Sequence, residues 1–148
     1  MAYLFYGSDT PDVTPVNEAF AAVKNQRHLY DLLSTIWCAE TCSPKMRDGW
    51  SKHNITKGQC SITAFLAQDI FGGEVYGVSL KNGNVHCFNV VNGVLFDLTS
   101  EQFEKIDYEY NLNFLQRREV HFAREEKRQR YEYLRSKLLE KLQNEKSK

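Results

Sequence analysis

Residues 58–73, GQCSITAFLAQDIFGG, decide the fold because they predict one helix, from Gln59 to Phe71, that is buried on most sides. Apolar side chains occupy most positions from Ile62 to Phe71, which is typical of a helix at the centre of a domain. Gly72-Gly73 ends the helix. Cys60 falls in its first turn, where unpaired amide hydrogens and the positive helix end lower the pKa of a thiol. The sequence therefore favours a thiolate at Cys60.

Three strand-like runs follow this helix, at residues 74–80, 85–91 and 94–98. Asn82-Gly83-Asn84 and Asn92-Gly93 join them, and Asn-Gly between apolar runs predicts a tight hairpin. In a two-residue hairpin at Asn92-Gly93, Asp97 lies opposite Phe88, so His86 and Asp97 are diagonal neighbours on one face. A slip of one residue would move one of them to the other face. The pattern predicts an antiparallel meander that permits their contact.

The flanking segments predict further helices. Thr14-Pro15 has the features of a helix start, and apolar residues at near-helical spacing extend that helix to about Ala39. Residues 40–58 form a long connection of the kind that is often functional. Thr99 to Gln102 matches a T-x-x-Q capping box for a short helix.

The last third of the chain predicts a fourth strand at 118–122 and a charge-rich helix from Ala123 to about Gln143. An apolar stripe runs along that helix at spacings of three or four residues: Tyr131, Leu134, Leu138 and Leu142. We therefore expect one α+β domain over residues 1–148, with a core at about 14–122 and a terminal helix at about 123–143. In this domain the helix that bears Cys60 packs on a meander of three or more strands.

Composition excludes several classes of protein. The 148 residues carry a formal net charge of zero, which argues against binding nucleic acid or an anionic membrane through overall charge. No membrane span or export signal is visible, so we expect a cytoplasmic protein with reduced thiols. The cysteines lack paired zinc-ligand spacing, and neither a metal nor a cofactor is expected.

Cys60, His86 and Asp97 together supply the groups that thiol catalysis needs. A thiolate nucleophile needs a neighbouring base, and the base needs a carboxylate that fixes its tautomer. Each residue alone has an ordinary structural explanation: a small buried cysteine, a strand histidine facing solvent, an acid that ends a strand. Their combination favours a catalytic site.

Other polar residues near this trio are weaker candidates for binding substrate or an oxyanion. Gln59 and Ser61 lie at the start of the helix, although Gln59 fits a solvated position equally well. Trp50 suits a pocket wall, but such a residue more often pins a long loop to the core. Asn89 alternates to the face opposite the predicted base, as does Cys87, which we expect to serve in packing. Three histidines show no partner pattern and are expected to be structural or exposed: His28, His53 and His121.

Four blocks, at residues 58–64, 68–74, 86–89 and 96–103, resemble the YunG family of small bacterial proteins. The resemblance runs from about Ile36 through Phe103, and the name implies little about function. More broadly, the order Cys, His, Asp is similar to the transglutaminase-like and arylamine-acetyltransferase branch of papain-like folds. That resemblance implies Cys60 as nucleophile, His86 as base and Asp97 as orienter. The spacing here is far more compact than in the larger members of that branch.

These patterns lead to one main functional hypothesis and two alternatives. The main one is a cysteine hydrolase or acyl/amidyl transferase that acts on an amide or ester of unidentified structure. The first alternative is a catalytically inactive binding module that uses its basic terminal helix, although a solvated amphipathic helix accounts for the same charges. The second is a redox-sensing thiol protein, which needs only a low pKa at Cys60.

Overall fold

A computed structural model describes residues 3–103 and 106–146. Four α-helices are α1 (Gln26–Ser34), α2 (Cys60–Phe71), α3 (Arg118–Phe122) and α4 (Glu125–Lys146). Three strands are β1 (Glu74–Ser79), β2 (Val85–Val91) and β3 (Val94–Phe96), and single 3₁₀ turns lie at Glu18–Phe20, Pro44–Gly49 and Ser100–Gln102. The predicted α+β class is confirmed.

The strands form the predicted antiparallel meander, in the order β1-β2-β3. Val91 pairs with Val94 across the turn, where Asn92 (φ 50°) and Gly93 (φ 80°) adopt the positive φ that a two-residue hairpin of this type requires. The register is therefore the one that the Asn-Gly turn predicts. β3 ends at Phe96 instead of residue 98, because Asp97 N–H donates to the Tyr6 carbonyl (2.9 Å) in the N-terminal segment.

Helix α2 lies within one residue of its predicted bounds and packs on one face of the sheet. Asn89 on β2 donates from Nδ2 to the Ala64 carbonyl (2.8 Å), which ties the helix to the central strand. Gly72 ends the helix with a φ of 83°. Asn89 thus lies on the face opposite His86, as alternation predicted, and its side chain holds α2 in place.

The prediction of a helix that begins at Thr14 is wrong over its first half. Helix α1 begins at Gln26, because the Asn25 side chain caps it by accepting from the His28 N–H (2.9 Å). Buried Gln26 in turn accepts the Val13 N–H at Oε1 (3.0 Å), which fixes the preceding loop. The apolar residues of 14–25 do have helical spacing, but they lie in a 3₁₀ turn and a loop and reach the core from there. Helix α1 ends at Ser34 and not at the predicted Ala39.

Two other local predictions fail. The T-x-x-Q box gives only a 3₁₀ turn without a side-chain cap, because the Thr99 hydroxyl faces Asp97 Oδ1 (3.4 Å). The predicted fourth strand at 118–122 is helix α3. Its first residue, Arg118, donates to both carboxylate oxygens of Asp69 on α2, so a tertiary ion pair fixes this short segment.

Helix α4 buries the predicted stripe of Tyr131, Leu134, Leu138 and Leu142 against the core. Arg130 on the same helix is also buried and donates to the Thr41 carbonyl (3.0 Å) and to Glu126. Fewer basic side chains of this helix are therefore exposed to a partner than its composition indicates. None of the helices within residues 3–103 and 106–146 combines the length and the apolar character that crossing a membrane requires.

The segment at residues 106–116 pairs with the free edge of β1, where Gly77 N–H donates to the Phe114 carbonyl (2.9 Å). It also covers the other face of the sheet, where the Tyr110 ring meets the Phe88 ring edge-on at 5.0 Å. This cover buries Phe88 on the side of the sheet away from α2. His86 points to the same side as Phe88 and lies under the same cover.

Candidate thiol site

His86 and Asp97 form a buried pair at the end of the hairpin. His86 Nε2 lies 2.5 Å from Asp97 Oδ2, and each side chain is only 1% exposed. Tyr110 O–H donates to the same oxygen (2.6 Å), and Thr99 N–H donates to Oδ1 (3.2 Å). Both carboxylate oxygens are thus held, and the diagonal register places Asp97 where it fixes the imidazole.

This environment keeps His86 charged. Burial alone would lower its pKa, but the charge and hydrogen bond of Asp97, together with Cys60, raise the pKa of His86 to about 10. The rings of Phe103 and Tyr108 lie 5.0 and 5.6 Å from the imidazole and shield it from water. Nδ1 is buried and has no hydrogen-bond partner among the described residues. One ring nitrogen therefore remains available to a group in the adjoining cavity.

Cys60 is the first residue of α2 and is partly exposed. Gln59 before it supplies no side-chain cap to the first-turn amides. Gly58 has a φ of 72°, and a Cβ there would come within 2.5 Å of Cys42 Sγ and 3.0 Å of Ser43 N. Glycine is therefore needed to turn the chain into the helix at this point.

Neighbouring groups stabilise the thiolate form of Cys60. The neighbouring Cys87 thiol lowers the pKa of Cys60 most, burial opposes this effect, and the positive charge of nearby His86 lowers the pKa further, so that it lies well below the ordinary range. No hydrogen bond joins Cys60 Sγ to His86 Nδ1. Catalytic hydrogen bonds are often long or poorly aligned before a substrate binds.

Cys87 has a larger part here than the predicted packing role. The neighbouring Cys60, together with burial, raises the pKa of Cys87 well above the ordinary range. Alternation along β2 puts Cys87 on the face that packs on α2 and His86 on the other face. β3 pairs only with Asn89–Val91, so at His86 the sheet consists of the two strands β1 and β2. His86 on one face and Cys87 on the other both influence the pKa of Cys60 there.

Cys60, Ser61 and His86 line one cavity of about 510 Å³. Gln59 is not on its wall: the side chain is fully buried and donates from Nε2 to the Cys38 carbonyl (3.1 Å). Trp50 donates from Nε1 to the Ile55 carbonyl (2.9 Å) and pins the long connection. Of the weaker candidates, the structure therefore brings only Ser61 to the thiol.

The far wall of the cavity comes from α3, α4 and the residues between them, none of which was predicted to face the thiol. His121, Arg124 and Lys127 line it. His121 Nε2 donates to Gln116 Oε1 (2.8 Å), and the Lys127 ammonium lies 2.9 Å from His121 Nδ1. Burial, followed by the charge of Lys127, lowers the pKa of His121 to about 4, so His121 is a neutral acceptor. No helical spacing relates these three side chains, because His121 lies in α3, Arg124 in the connection and Lys127 in α4.

Comparison with known proteins gives a family for this chain. The family model described as YunG protein matches residues 25–143, a range that includes Cys60, His86 and Asp97. A curated relative from Bacillus subtilis (strain 168), "Uncharacterized protein YunG", is 36% identical over 74 residues, which cover 44% of this chain and 64% of the relative. The matched part of the chain thus spans just under two thirds of that relative's length. No solved structure matches.

Proposed function

This chain belongs to the YunG family, and we propose that it is a cysteine-dependent hydrolase or acyl/amidyl transferase with a small papain-like or transglutaminase-like core. One observation carries the proposal: a buried His86–Asp97 pair leaves Nδ1 without a partner, and His86 and Cys60 line the same cavity. A thiolate, a charged imidazole and an orienting carboxylate are the groups that acyl transfer through cysteine uses.

The reaction begins with the Cys60 thiolate attacking the carbonyl carbon of an amide or ester. A C–S bond forms and the carbonyl electron pair moves to oxygen, where first-turn amides of α2 stabilise the charge. The His86 imidazolium gives its proton to the leaving amine or alcohol as the C–N or C–O bond breaks, which leaves a thioester on Cys60. Neutral His86 then takes a proton from water or an acceptor amine that attacks the thioester. Asp97 holds the ring in one tautomer throughout.

Selective alkylation tests the thiolate. We expect iodoacetamide at neutral pH to modify Cys60 before the other three cysteines, as read by peptide mass spectrometry, since a thiolate reacts and a thiol does not. His86→Ala should abolish this selectivity, whereas His53→Ala, at an exposed loop position, should preserve it. Slow and uniform labelling of all four cysteines would contradict the proposal.

Acyl transfer itself is tested with an activated ester. p-Nitrophenyl acetate should leave an acetyl group on Cys60 and release nitrophenolate in a burst equal to the protein concentration. Asp97→Ala should slow the burst and Cys60→Ala should remove it. A wild-type protein whose Cys60 alkylates rapidly but never acylates would be a reactive thiol without this activity.

A second candidate function, a redox-sensing thiol, is favoured by the closeness of Cys60 and Cys87, each of which shifts the pKa of the other. A peroxide would oxidise the Cys60 thiolate to a sulfenic acid, with water leaving after one proton is taken up. The Cys87 thiol would then attack that sulfur, so that an S–S bond forms and a second water leaves.

Modest peroxide should therefore give a Cys60–Cys87 cross-linked peptide by mass spectrometry, and the link should disappear with dithiothreitol. In Cys87→Ser the sulfenic acid should persist and react with dimedone. Recovery of Cys60 in its reduced form alone would remove this candidate and leave the acyl-transfer proposal standing.

A further inference from the structure

Basic side chains are concentrated around the proposed nucleophile. The whole chain has no net charge, yet among the described residues five lysine or arginine side chains and one carboxylate line the cavity. The cations are Lys45, Lys57, Arg124, Lys127 and Arg130, and the acid is Glu126. Glu126 is bonded to Arg130. Within the described ranges, the other four cations have no carboxylate at ion-pair distance.

Lys127 shows how these charges are held. Its ammonium contacts the neutral Nδ1 of His121 (2.9 Å), and that bond fixes the ammonium without neutralising it. Burial lowers the pKa of Lys127, while negative charge at Cys87 and Cys60 raises it. An anion entering the cavity would also raise that pKa, so that binding of an anion and protonation of Lys127 would reinforce each other.

We propose that the acyl donor carries an anionic group, a carboxylate or phosphate, which Lys57, Arg124 and Lys127 bind while its carbonyl lies at Cys60. This inference rests on the proposed function, because it names the substrate class for the same thiol. A neutral substrate would cover these cations without offering them a partner, which costs free energy. An anionic substrate meets them directly and is drawn to the cavity by their field.

Two alkylating reagents of the same size and chemistry measure this preference. Iodoacetate carries a carboxylate and iodoacetamide is neutral, so the ratio of their rates at Cys60 reports the charge of the cavity. We expect the ratio to be about tenfold higher in the folded protein than at Cys60 of the urea-unfolded protein. Peptide mass spectrometry resolves Cys60 from the other cysteines in both states.

Charge-removing variants locate the effect. Arg124→Gln and Lys127→Gln should each lower the ratio about threefold, the effect of one unit charge at roughly 6 Å in a water-like medium. Lys141→Gln is the matched control: it removes the same charge from α4 but lines a different cavity, and its ratio should equal the wild-type ratio. Circular dichroism of each variant verifies that it is folded.

The outcomes separate the two proposals. A folded ratio equal to the unfolded one, with rapid iodoacetamide labelling, would overturn the anionic substrate class and leave the thiol chemistry intact. Slow labelling by both reagents would instead refute the proposed function. Protection of Cys60 from iodoacetamide by inorganic phosphate, compared with succinate, identifies which anion the cavity prefers.

Discussion

One cavity has two sides whose polar groups are held in different ways. The thiol side is Cys60, His86 and Asp97, and the basic side is Lys57, Arg124 and Lys127. On the thiol side the imidazole and carboxylate are 1% exposed, and Asp97 accepts hydrogen bonds at both oxygens. On the basic side Lys57 and Lys127 are half-buried and Arg124 is exposed, and Lys127 contacts the neutral Nδ1 of His121.

The difference determines how each side responds to mutation. A buried ion pair has lost its water, so removing one partner leaves the other charge uncompensated and costs several kcal/mol. A partly hydrated charge interacts through a high effective dielectric, so each one contributes little and salt screens it. The thiol side should therefore fail at single substitutions, whereas the basic side should weaken in small additive steps.

The largest effect is expected at Asp97. Asp97→Asn keeps the size of the side chain but removes the charge that holds His86, and we expect a loss of about 3–5 kcal/mol in the free energy of unfolding. Urea denaturation followed by circular dichroism measures it. Asp9→Asn, at an exposed position, is the control and should change stability by less than about 0.5 kcal/mol.

The loss should depend on pH in a defined direction. The pKa of His86 is raised to about 10 in the folded protein from an ordinary value of about 6.5. Its stabilising contribution is therefore complete below pH 6.5 and disappears as pH rises through about 10. The difference between wild type and Asp97→Asn should be largest near pH 6 and shrink towards pH 10. A constant difference across that range would show that the ion pair is not its source.

The thiol side was predictable from sequence because its geometry is set locally. The Asn92-Gly93 turn fixes the register of β2 and β3, and that register alone brings Asp97 diagonal to His86. The apolar pattern ending at Gly72 fixes α2 and so places Cys60 at its first turn. Few residues separate these elements, so turn chemistry and periodicity were sufficient.

The basic side was not predictable because it depends on contacts between distant parts of the chain. The composition of residues 118–122 is typical of a strand. The segment is a helix instead, and its first residue, Arg118, pairs with Asp69, which lies 49 residues earlier in the sequence. Lys127 reaches the cavity only once α4 has packed on α2. The contact of Cys87 with Cys60 was missed for the same reason, since alternation gives the face of a strand and not its neighbours.

The second largest effect is expected in the pH profile of Cys60. An ordinary thiol with a pKa near 8.5 loses roughly a hundredfold in alkylation rate between pH 8.5 and 6, because its thiolate fraction falls. The pKa of Cys60 is well below that range, so its iodoacetamide rate should stay nearly constant over the same interval. Cys60 of the urea-unfolded protein is the reference. Parallel profiles for the folded and unfolded states would show that the thiol side does not stabilise a thiolate.

A smaller effect is expected at Tyr110, which supports the thiol side from the covering segment. Tyr110→Phe removes the hydroxyl that donates to Asp97 Oδ2 (2.6 Å) but keeps the ring, and the expected cost is about 1.5 kcal/mol of folding stability. Tyr6→Phe is a suitable control, because the Tyr6 ring stacks on Tyr110 at 4.2 Å while the residue is 45% exposed. Equal losses in the two variants would show that the hydrogen bond to the carboxylate does not account for the effect.

The smallest effect is expected from salt, and it separates the two sides without any substitution. Raising ionic strength from about 0.02 to 0.3 M shortens the Debye length from roughly 20 to 6 Å, so the attraction of the basic side for iodoacetate should fall roughly threefold at Cys60. Iodoacetamide carries no charge, and the His86–Asp97 pair is buried from the ions, so its rate should hold within experimental error. If salt slowed both reagents equally, the thiolate itself would depend on exposed charges, and the two sides would have to be treated as one electrostatic unit.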